Sequence, residues 1–379
     1  MGTMSLRVVH VVGAGTVGGA ERMLLDLMTH SNSKEIQHTL VLFSSHPALN
    51  AFFRQAENNI YEGRILKESP IHFLQRAWGK EDMAFLVDVC RREKAQILHL
   101  HTFGSHVLGA RAARHLGLKM IRTDHSMRVY QDLSCWVFSR WALAYCHALV
   151  SVSHAVQQKT LERASWLRIP MHVIHNGINT DHFFSVPLPD WTEASEESFS
   201  FVLVARLEPR KQIDRALRAI AGLPRARLHI VGDGPEKESL YRQATALGLQ
   251  ERVVFWGFQQ DVRPAIAQAH VGLSSSSEEG LGLSLLEVMA LGRPVVAPRV
   301  GGIPEIVEHE KTGYLADSST VDHLQQMMKR MMAIPAQERA RLGTAARKFV
   351  VEHASVEKMC AAYAQVYASL LSPTMDESR

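Results

Sequence analysis

The stretch Ser277-Glu-Glu-Gly-Leu-Gly-Leu-Ser-Leu-Leu-Glu-Val-Met-Ala-Leu-Gly-Arg-Pro-Val-Val-Ala-Pro-Arg-Val-Gly-Gly-Ile-Pro-Glu-Ile-Val307 decides how the chain is read. It leaves a polar run, turns through Gly280-Leu281-Gly282, and continues as an all-round apolar helix from Leu283. Pro294–Ala297 then reads as a short buried strand, and Gly301-Gly302 as a second tight turn. Loop, buried helix and buried strand in succession form one unit of a parallel α/β sheet.

The same alternation runs outward in both directions. Upstream, Phe199–Ala205, Arg227–Val231, Val253–Trp256 and Val271–Ser274 read as strands with helices between them. Earlier still, Leu6–Val12, Thr39–Phe43, Ile97–Leu100 and Ala148–Val152 are strands, with helices at 20–28, 83–93 and 107–116. The end is helical over 320–332, 336–353 and 355–371. Between the two series, the polar, acidic, Pro-bearing run 187–198 interrupts the pattern and reads as a linker. The expectation is α/β throughout, with two tandem Rossmann-like doubly wound domains facing across a cleft. Their bounds are 1–186 and 199–355, and a C-terminal helix in 356–379 crosses back to the first. At 379 residues the chain is too long for one ordinary core.

Composition narrows the classes. Hydrophobic residues make up 46% and charged residues 21%, as in ordinary globular domains. The net charge of +4 is uneven: residues 1–190 hold 20 Lys+Arg against 15 Asp+Glu, or +5, and the remainder 22 against 23, or −1. That surplus is too weak for a nucleic-acid footprint, so no nucleic-acid partner is expected. It suits loose contact with an anionic membrane through basic and apolar segments around 54–57, 76–80 and 111–119. No apolar run is long enough to span a bilayer, and the start lacks a secretory signal pattern. Cys90, Cys135, Cys146 and Cys360 are scattered. A reduced, cytoplasmic protein, at most at the inner face of the membrane, is the expectation.

One motif misleads. Gly13-Ala-Gly15-Thr-Val-Gly18 matches the dinucleotide fingerprint between a strand and a helix. That site also needs a carboxylate ending the second strand, and Phe43-Ser44-Ser45-His46 supplies none. The alternatives are a plain tight turn, or a phosphate cradle in which Gly18 and Gly19 let backbone approach a diphosphate at a helix start.

In the second half, Glu279 and Glu287 flank the glycine turn, eight positions apart. Glu287 sits among Leu285, Leu286, Val288 and Met289, where an unbonded carboxylate costs several kcal/mol. The vicinal hydroxyls of a ribose would satisfy it. Gly280 and Gly282 expose amides of a helix N-terminus to an anion. Arg206 and Lys211, at the end of the first strand of this domain, are cations where a diphosphate would lie. Arg210 is a rival expected to face solvent, and Glu278 a rival for Glu279.

Five segments in this order carry a resemblance: Arg206…Lys211, Val231-Gly-Asp-Gly-Pro235, Trp256-Gly-Phe258, Glu279-Gly-Leu-Gly…Glu287 and Gly301-Gly-Ile-Pro-Glu-Ile-Val307. Together they resemble retaining family 4 glycosyltransferases of the glycosyltransferase-B fold (glycosyltransferase group 1). Asn176-Gly-Ile-Asn179 with Asp181 and Phe183 resembles the close of that family's first domain, where Asn179 replaces the more usual Asp. The resemblance implies that Arg206 and Lys211 neutralise the leaving nucleoside diphosphate, that Glu287 holds the ribose and that Glu279 contacts the donor sugar. It implies that Gly280, Leu281, Gly282 and Leu283 lie along the donor, that Gly257 and Phe258 wall the base, and that Gly302 and Ile303 lie near the phosphates or sugar. Gly19, in Gly18-Gly-Ala-Glu21, resembles the glycine that approaches the diphosphate from the first domain.

Twenty histidines raise the question of a metal. His99 and His101 would share one strand face, with no third ligand at helpful spacing and His106 on the next turn, so no metal site is expected. His125, in Thr123-Asp-His-Ser126, resembles the family's cleft histidine on the donor sugar, and the family's His-x-His beside the cleft implies that His101 touches the acceptor or only lines the wall. His154, His175 and His182 are expected to be structural.

The function expected is transfer of a hexosyl unit, with retention, from a nucleotide diphosphate sugar to a hydroxyl-bearing acceptor. A UDP-sugar is favoured over GDP-mannose. The acceptor would be a cell-envelope glycan such as lipopolysaccharide or another polysaccharide, a glycolipid or a small glycoside precursor. No carboxylate can be placed on the far face of the sugar, and the family implies same-face attack, with His125, Glu279, Arg206 and Lys211 as the catalytic set. No Asp-x-Asp occurs, so metal independence and no cofactor beyond the co-substrate are expected. The competing classes are a sugar-nucleotide 2-epimerase of the same fold and a non-catalytic nucleotide-binding protein.

Overall fold

The computed structural model describes residues 5–13, 17–43, 47–56, 58–64, 75, 77–127, 133–184 and 199–372. The expected linker 187–198 lies outside them, as do Ala14–Thr16 of the glycine turn and parts of the basic segments at 57 and 76.

Two compact units divide the chain. One holds the residues up to Gly177 together with those from Val356, and the other Ile178–Ser355. The first unit closes at Gly177 rather than 186 because the short helix Thr180–Phe184 packs with the second. Phe183 is buried there, the Arg347 guanidinium lies 3.8 Å from the Phe184 ring centre, and Arg263 donates to the His182 carbonyl at 2.8 Å.

The first unit is built on Leu6–Val12 (β1), Ile36–Leu42 (β2), Asn59–Glu62 (β3), Ile97–Leu100 (β4), Lys119–Asp124 (β5), Ala148–Ser151 (β6) and Met171–Val173 (β7). They pair in parallel in the order β3-β2-β1-β4-β5-β6-β7. β1 and β4 are buried along nearly their whole length, as parallel strands covered on both faces must be. Val9, Val11, Leu98 and Leu100 pack on one face with the helices Lys80–Arg92 and Phe103–Leu116. Val8, Ile97 and Ile121 pack on the other, under the helices Gly19–His30 and Val356–Leu371. The last helix contributes Met359, Tyr363, Val366 and Tyr367 to that layer, so it belongs to the first unit.

The second unit has Phe199–Val204 (β8), Ala226–Val231 (β9), Val253–Gly257 (β10), Val271–Leu273 (β11), Val295–Pro298 (β12) and Gly313–Ala316 (β13). Their order is β10-β9-β8-β11-β12-β13, again parallel. Chain direction across the sheet reverses between β8 and β11, and in the first sheet between β1 and β4. Doubly wound sheets bind ligands at such switch points, outside the carboxyl ends of the strands. The short strands β3, β5, β7 and β13 were not expected from the sequence. β5 hides itself by carrying Arg122 and Asp124, both buried and paired at 2.8 Å. Among the described residues no helix is long and apolar enough to cross a membrane.

Candidate active site

The carboxyl ends of β8 and β11 lie side by side, and the loops leaving them are sewn together. After β8 the chain passes Arg206, makes a 3-10 turn over Pro209–Lys211, and enters the helix Ile213–Ala221 through Gln212 in a left-handed conformation, φ 47°. After β11 it runs through four serines to Glu279. The Ser275 hydroxyl donates to the Lys211 carbonyl at 2.8 Å. The Ser277 amide and hydroxyl both reach the Arg210 carbonyl, at 2.9 and 3.2 Å. Across this seam the Lys211 ammonium pairs with Glu279 Oε1, and the Ser276 hydroxyl donates to the same oxygen at 2.9 Å. Both charged side chains are largely shielded, 13% and 12% exposed. A pair this enclosed is screened far less by water than a surface pair.

Glycines bring the backbone of the deciding stretch together. Gly301 has φ 53°, and a Cβ there would stand 1.8 Å from the Glu279 carbonyl oxygen. The next amide, Gly302, donates to that carbonyl at 3.2 Å. Gly282, φ 102°, caps the helix Leu283–Ala290 with Leu281 buried beneath it. Leu285, Leu286, Val288, Met289 and Ala290 of that helix are buried, while Leu283, Ser284 and Glu287 remain partly accessible. Those three positions fall on one face at helical spacing, so Gly280, Leu283, Ser284 and Glu287 form one accessible stripe leading away from Glu279. The carboxylate of Glu287 therefore sits at the margin of the core, as the sequence pattern predicts.

Arg206 does not stand alone. Its Nε meets Glu208 Oε1 at 2.8 Å, and Arg210 Nε meets Glu208 Oε2 at 2.7 Å. Burial would raise the Glu208 pKa, but bonding to Arg210 and the nearby charges of Arg206 and Lys211 outweigh it and hold the group below its usual value. Glu208 thus spaces two guanidiniums on one carboxylate, a role the sequence reading missed. Arg210 also differs from expectation: at 29% exposure it is less open to solvent than Arg206 at 41%.

The Val231–Pro235 loop clasps the same segment. The Leu207 amide donates to the Asp233 carbonyl and the Glu236 amide to the Leu207 carbonyl, each at 3.0 Å. A Cβ on Gly232 would stand 1.9 Å from the Ala205 oxygen, so only glycine permits the approach. Gly257 ends β10 at φ 68° and accepts the Gly232 amide at 2.8 Å. Phe258 follows it, 64% exposed on the carboxyl-end rim.

In the first unit, Gly18 precedes the helix Gly19–His30, and its amide donates to the Glu21 carboxylate at 2.9 Å. That helix start is already capped by its own acid, which occupies the Gly18 amide. His125 follows β5, and its Nε2 lies 3.3 Å from Nδ1 of His101. The sequence reading found no third partner for His99 and His101. The structure supplies one from β1, because His10, His99 and His101 bring ring nitrogens within 4.8 Å of one another. These nitrogens are engaged by protein groups. His10 Nδ1 meets His101 Nε2 at 2.9 Å, and His99 bonds the Tyr367 and Thr123 hydroxyls at 2.7 and 2.8 Å. Hydrogen bonding accounts for the cluster as it stands, and an ion would have to displace it.

Residues 17–182 match the model of Glycosyltransferase Family 4, and residues 190–349 that of Glycosyl transferases group 1. The chain is 27% identical to N-acetyl-alpha-D-glucosaminyl L-malate synthase of Bacillus anthracis over 76% of this chain and 78% of that protein. It is 36% identical to the GDP-mannose-dependent alpha-(1-6)-phosphatidylinositol monomannoside mannosyltransferase of Mycolicibacterium smegmatis, over 47% of this chain and half of that protein. In fold it is similar to Anabaena Alr3699/HepE, solved in complex with UDP and glucose. The TM-score is 0.79 and the identity 22%, over 96% of this chain and 100% of that one.

Proposed function

Starting from a chain that belongs to the glycosyltransferases of the glycosyltransferase-B fold, we propose that it moves a hexosyl unit, with retention, from a nucleotide diphosphate sugar to a hydroxyl acceptor. The observation that carries the reading is the shielded Lys211–Glu279 pair at the β8/β11 switch point, beside a glycine-capped helix start.

An ammonium has three donors, so Lys211 can hold Glu279 and still reach a phosphate oxygen. Both bonds to Glu279 fall on Oε1, which leaves Oε2 to accept from a sugar hydroxyl. Arg206 joins Lys211 on the diphosphate, the amides at Leu283 and Ser284 face it, and Glu287 takes the ribose hydroxyls further along the stripe. Phe258 stacks against the base beyond Gly257.

The chemistry proposed is same-face displacement. The bond from the anomeric carbon to the leaving phosphate oxygen breaks, and the acceptor oxygen bonds to that carbon. The acceptor proton passes to the departing phosphate oxygen. Charge grows on the diphosphate, where fixed cations and amides stabilise it most. No step uses a metal, so activity should survive EDTA.

The donor favoured is a UDP-sugar, supported by the UDP and UDP-glucose complexes of HepE; the mannosyltransferase relative is by name GDP-mannose-dependent and keeps that base as the rival. Relatives named for phosphatidylinositol and for lipopolysaccharide core support a cell-envelope or glycolipid acceptor; for such an acceptor, the basic surplus of residues 1–190 would meet an anionic membrane surface.

The test is transfer and donor hydrolysis with UDP- and GDP-sugars for wild type and Glu279→Ala, with and without EDTA. Glu279→Ala at wild-type rate would remove the assignment. Loss in EDTA with recovery on adding one divalent ion would remove the metal-independent step. Donor turnover to a free epimer without acceptor would point to the epimerase reading.

A further inference from the structure

Three cations and two carboxylates share the turn that follows β8. Lys211 pairs with Glu279 across the seam, while Arg206 and Arg210 meet on Glu208. The backbone beneath them is fixed on both sides. Leu207, between Arg206 and Glu208, is buried, with its amide on the Asp233 carbonyl and its own carbonyl accepting the Glu236 amide. On the other side the Arg210 and Lys211 carbonyls accept from Ser277 and Ser275. The Lys211 amide closes the turn on the Glu208 carbonyl at 2.9 Å, and Pro209 locks its own φ inside it. With the main chain set, the remaining freedom lies in the arginine side chains. Arg206 is 41% exposed, and an arginine that is not held samples many rotamers.

Glu208 removes that freedom. It is 17% exposed, and each of its oxygens takes the Nε of a different arginine, Oε1 that of Arg206 and Oε2 that of Arg210. Against the effect of burial, the neighbouring cations hold it below the usual carboxylate range, so it is ionised at neutral pH. A guanidinium carries five N–H donors in one rigid plane, so a bond through Nε orients the whole fork while using one donor. One carboxylate between two guanidiniums also leaves the group of three with a net positive charge.

Two effects of Glu208 on a bound diphosphate oppose each other. Its charge repels the phosphates and competes for Arg206. Its grip on Nε orders the Arg206 fork before the ligand arrives, which cuts the entropy lost on binding. The repulsion is the smaller effect, because Arg210 offsets the carboxylate at 2.7 Å and water screens partly exposed charges. We propose that Glu208 is a positioning residue: with Arg210 as its counter-ion, it holds the Arg206 guanidinium ready for the diphosphate of the donor. The diphosphate contact of Arg206 rests on the glycosyl-transfer reading above; the grip of Glu208 on the two arginines does not.

The experiment titrates UDP, GDP and ADP into the full chain by calorimetry, with thermal unfolding as the check on folding. Charge alone predicts that removing the carboxylate tightens nucleotide binding. Positioning predicts the opposite sign: Glu208→Ala should weaken the nucleotide that the wild type binds by about three- to tenfold. Glu208→Gln, with one acceptor oxygen for two guanidiniums, should weaken it in the same direction. In an Arg206→Ala background the effect of Glu208→Ala should vanish, since no fork is left to orient, whereas a merely structural Glu208 would weaken both backgrounds alike. Arg210→Gln, which leaves Glu208 to neutralise Arg206 alone, should also weaken binding. Unchanged or tighter binding in either Glu208 variant, or equal weakening in both backgrounds, would overturn the positioning role and leave the glycosyl-transfer reading intact. A wild type that binds none of the three nucleotides, or Arg206→Ala that binds as well as wild type, would overturn it together with the diphosphate contact on which it rests.

Discussion

Lys211→Met keeps the apolar stem of the side chain and removes its ammonium. Two consequences are separable. The donor loses one charge-assisted bond, worth about 1.5–3 kcal/mol, so kcat/KM should fall roughly 10- to 150-fold. Glu279 loses its ion pair while only 12% exposed, keeping the Ser276 hydroxyl on Oε1. Breaking a fully buried pair costs about 3–5 kcal/mol. Residual solvent at both partners lowers that here, and about 1–3 kcal/mol of unfolding stability should be lost. A cycle with Glu279→Gln tells the two consequences apart. If Lys211 binds diphosphate, its replacement lowers kcat/KM in the Glu279→Gln background as well. If it only orients Glu279, the double variant is no worse than Glu279→Gln. Steady-state kinetics and urea unfolding of the four proteins supply both axes. A Lys211→Met protein within twofold of wild-type kcat/KM would refute the reasoning.

Gly301→Ala should reduce activity at least tenfold and lower Tm, because its Cβ would strike the Glu279 carbonyl and its φ of 53° disfavours any other residue; circular dichroism melts and kinetics check both. Tyr367→Phe removes the hydroxyl bonded to buried His99 and should cost about 1–3 kcal/mol in denaturant titrations. Acid should destabilise the first unit through its buried histidines. His38 titrates near its ordinary value when unfolded and at about 4 when folded, so the unfolded chain binds more protons in that window. Stability is then fully present above about pH 6.5 and lost as pH falls toward 4, by about 3 kcal/mol for His38 alone. Unfolding free energies measured at pH 7.5, 6 and 5 should decline in that order, with His38→Phe reducing the slope.

Much of the architecture was legible because parallel strands buried on both faces read as short apolar runs. Leu6–Val12 and Ile97–Leu100 appear with the expected bounds, and most other strands shift by one to three residues. What escaped were strands whose residues break that rule, such as β5 with Arg122 and Asp124, where an internal ion pair replaces apolar packing. In the candidate site, the glycines marked real constraints at Gly301, Gly282 and Gly232, since left-handed backbone and close approach leave their mark on residue type. The pairing of Lys211 with Glu279 was not legible: it joins residues 68 positions apart, and each was expected to meet a ligand, not the other. The same holds for Glu208 between two arginines. His10 and His38 carried no local signal either, because a single histidine in an apolar strand gives no hint of the neighbours that sheet order brings beside it.

On the proposed function, the second unit binds a nucleoside diphosphate at Lys211, Glu279 and Glu287. Thermal unfolding with UDP, GDP, ADP and their sugars measures it directly. One nucleotide should stabilise the wild type by about 2.7 kcal/mol at a hundredfold excess over its Kd. Glu287→Ala should need far more ligand for the same shift. No shift with any nucleotide, or an undiminished shift in Glu287→Ala, would contradict the account.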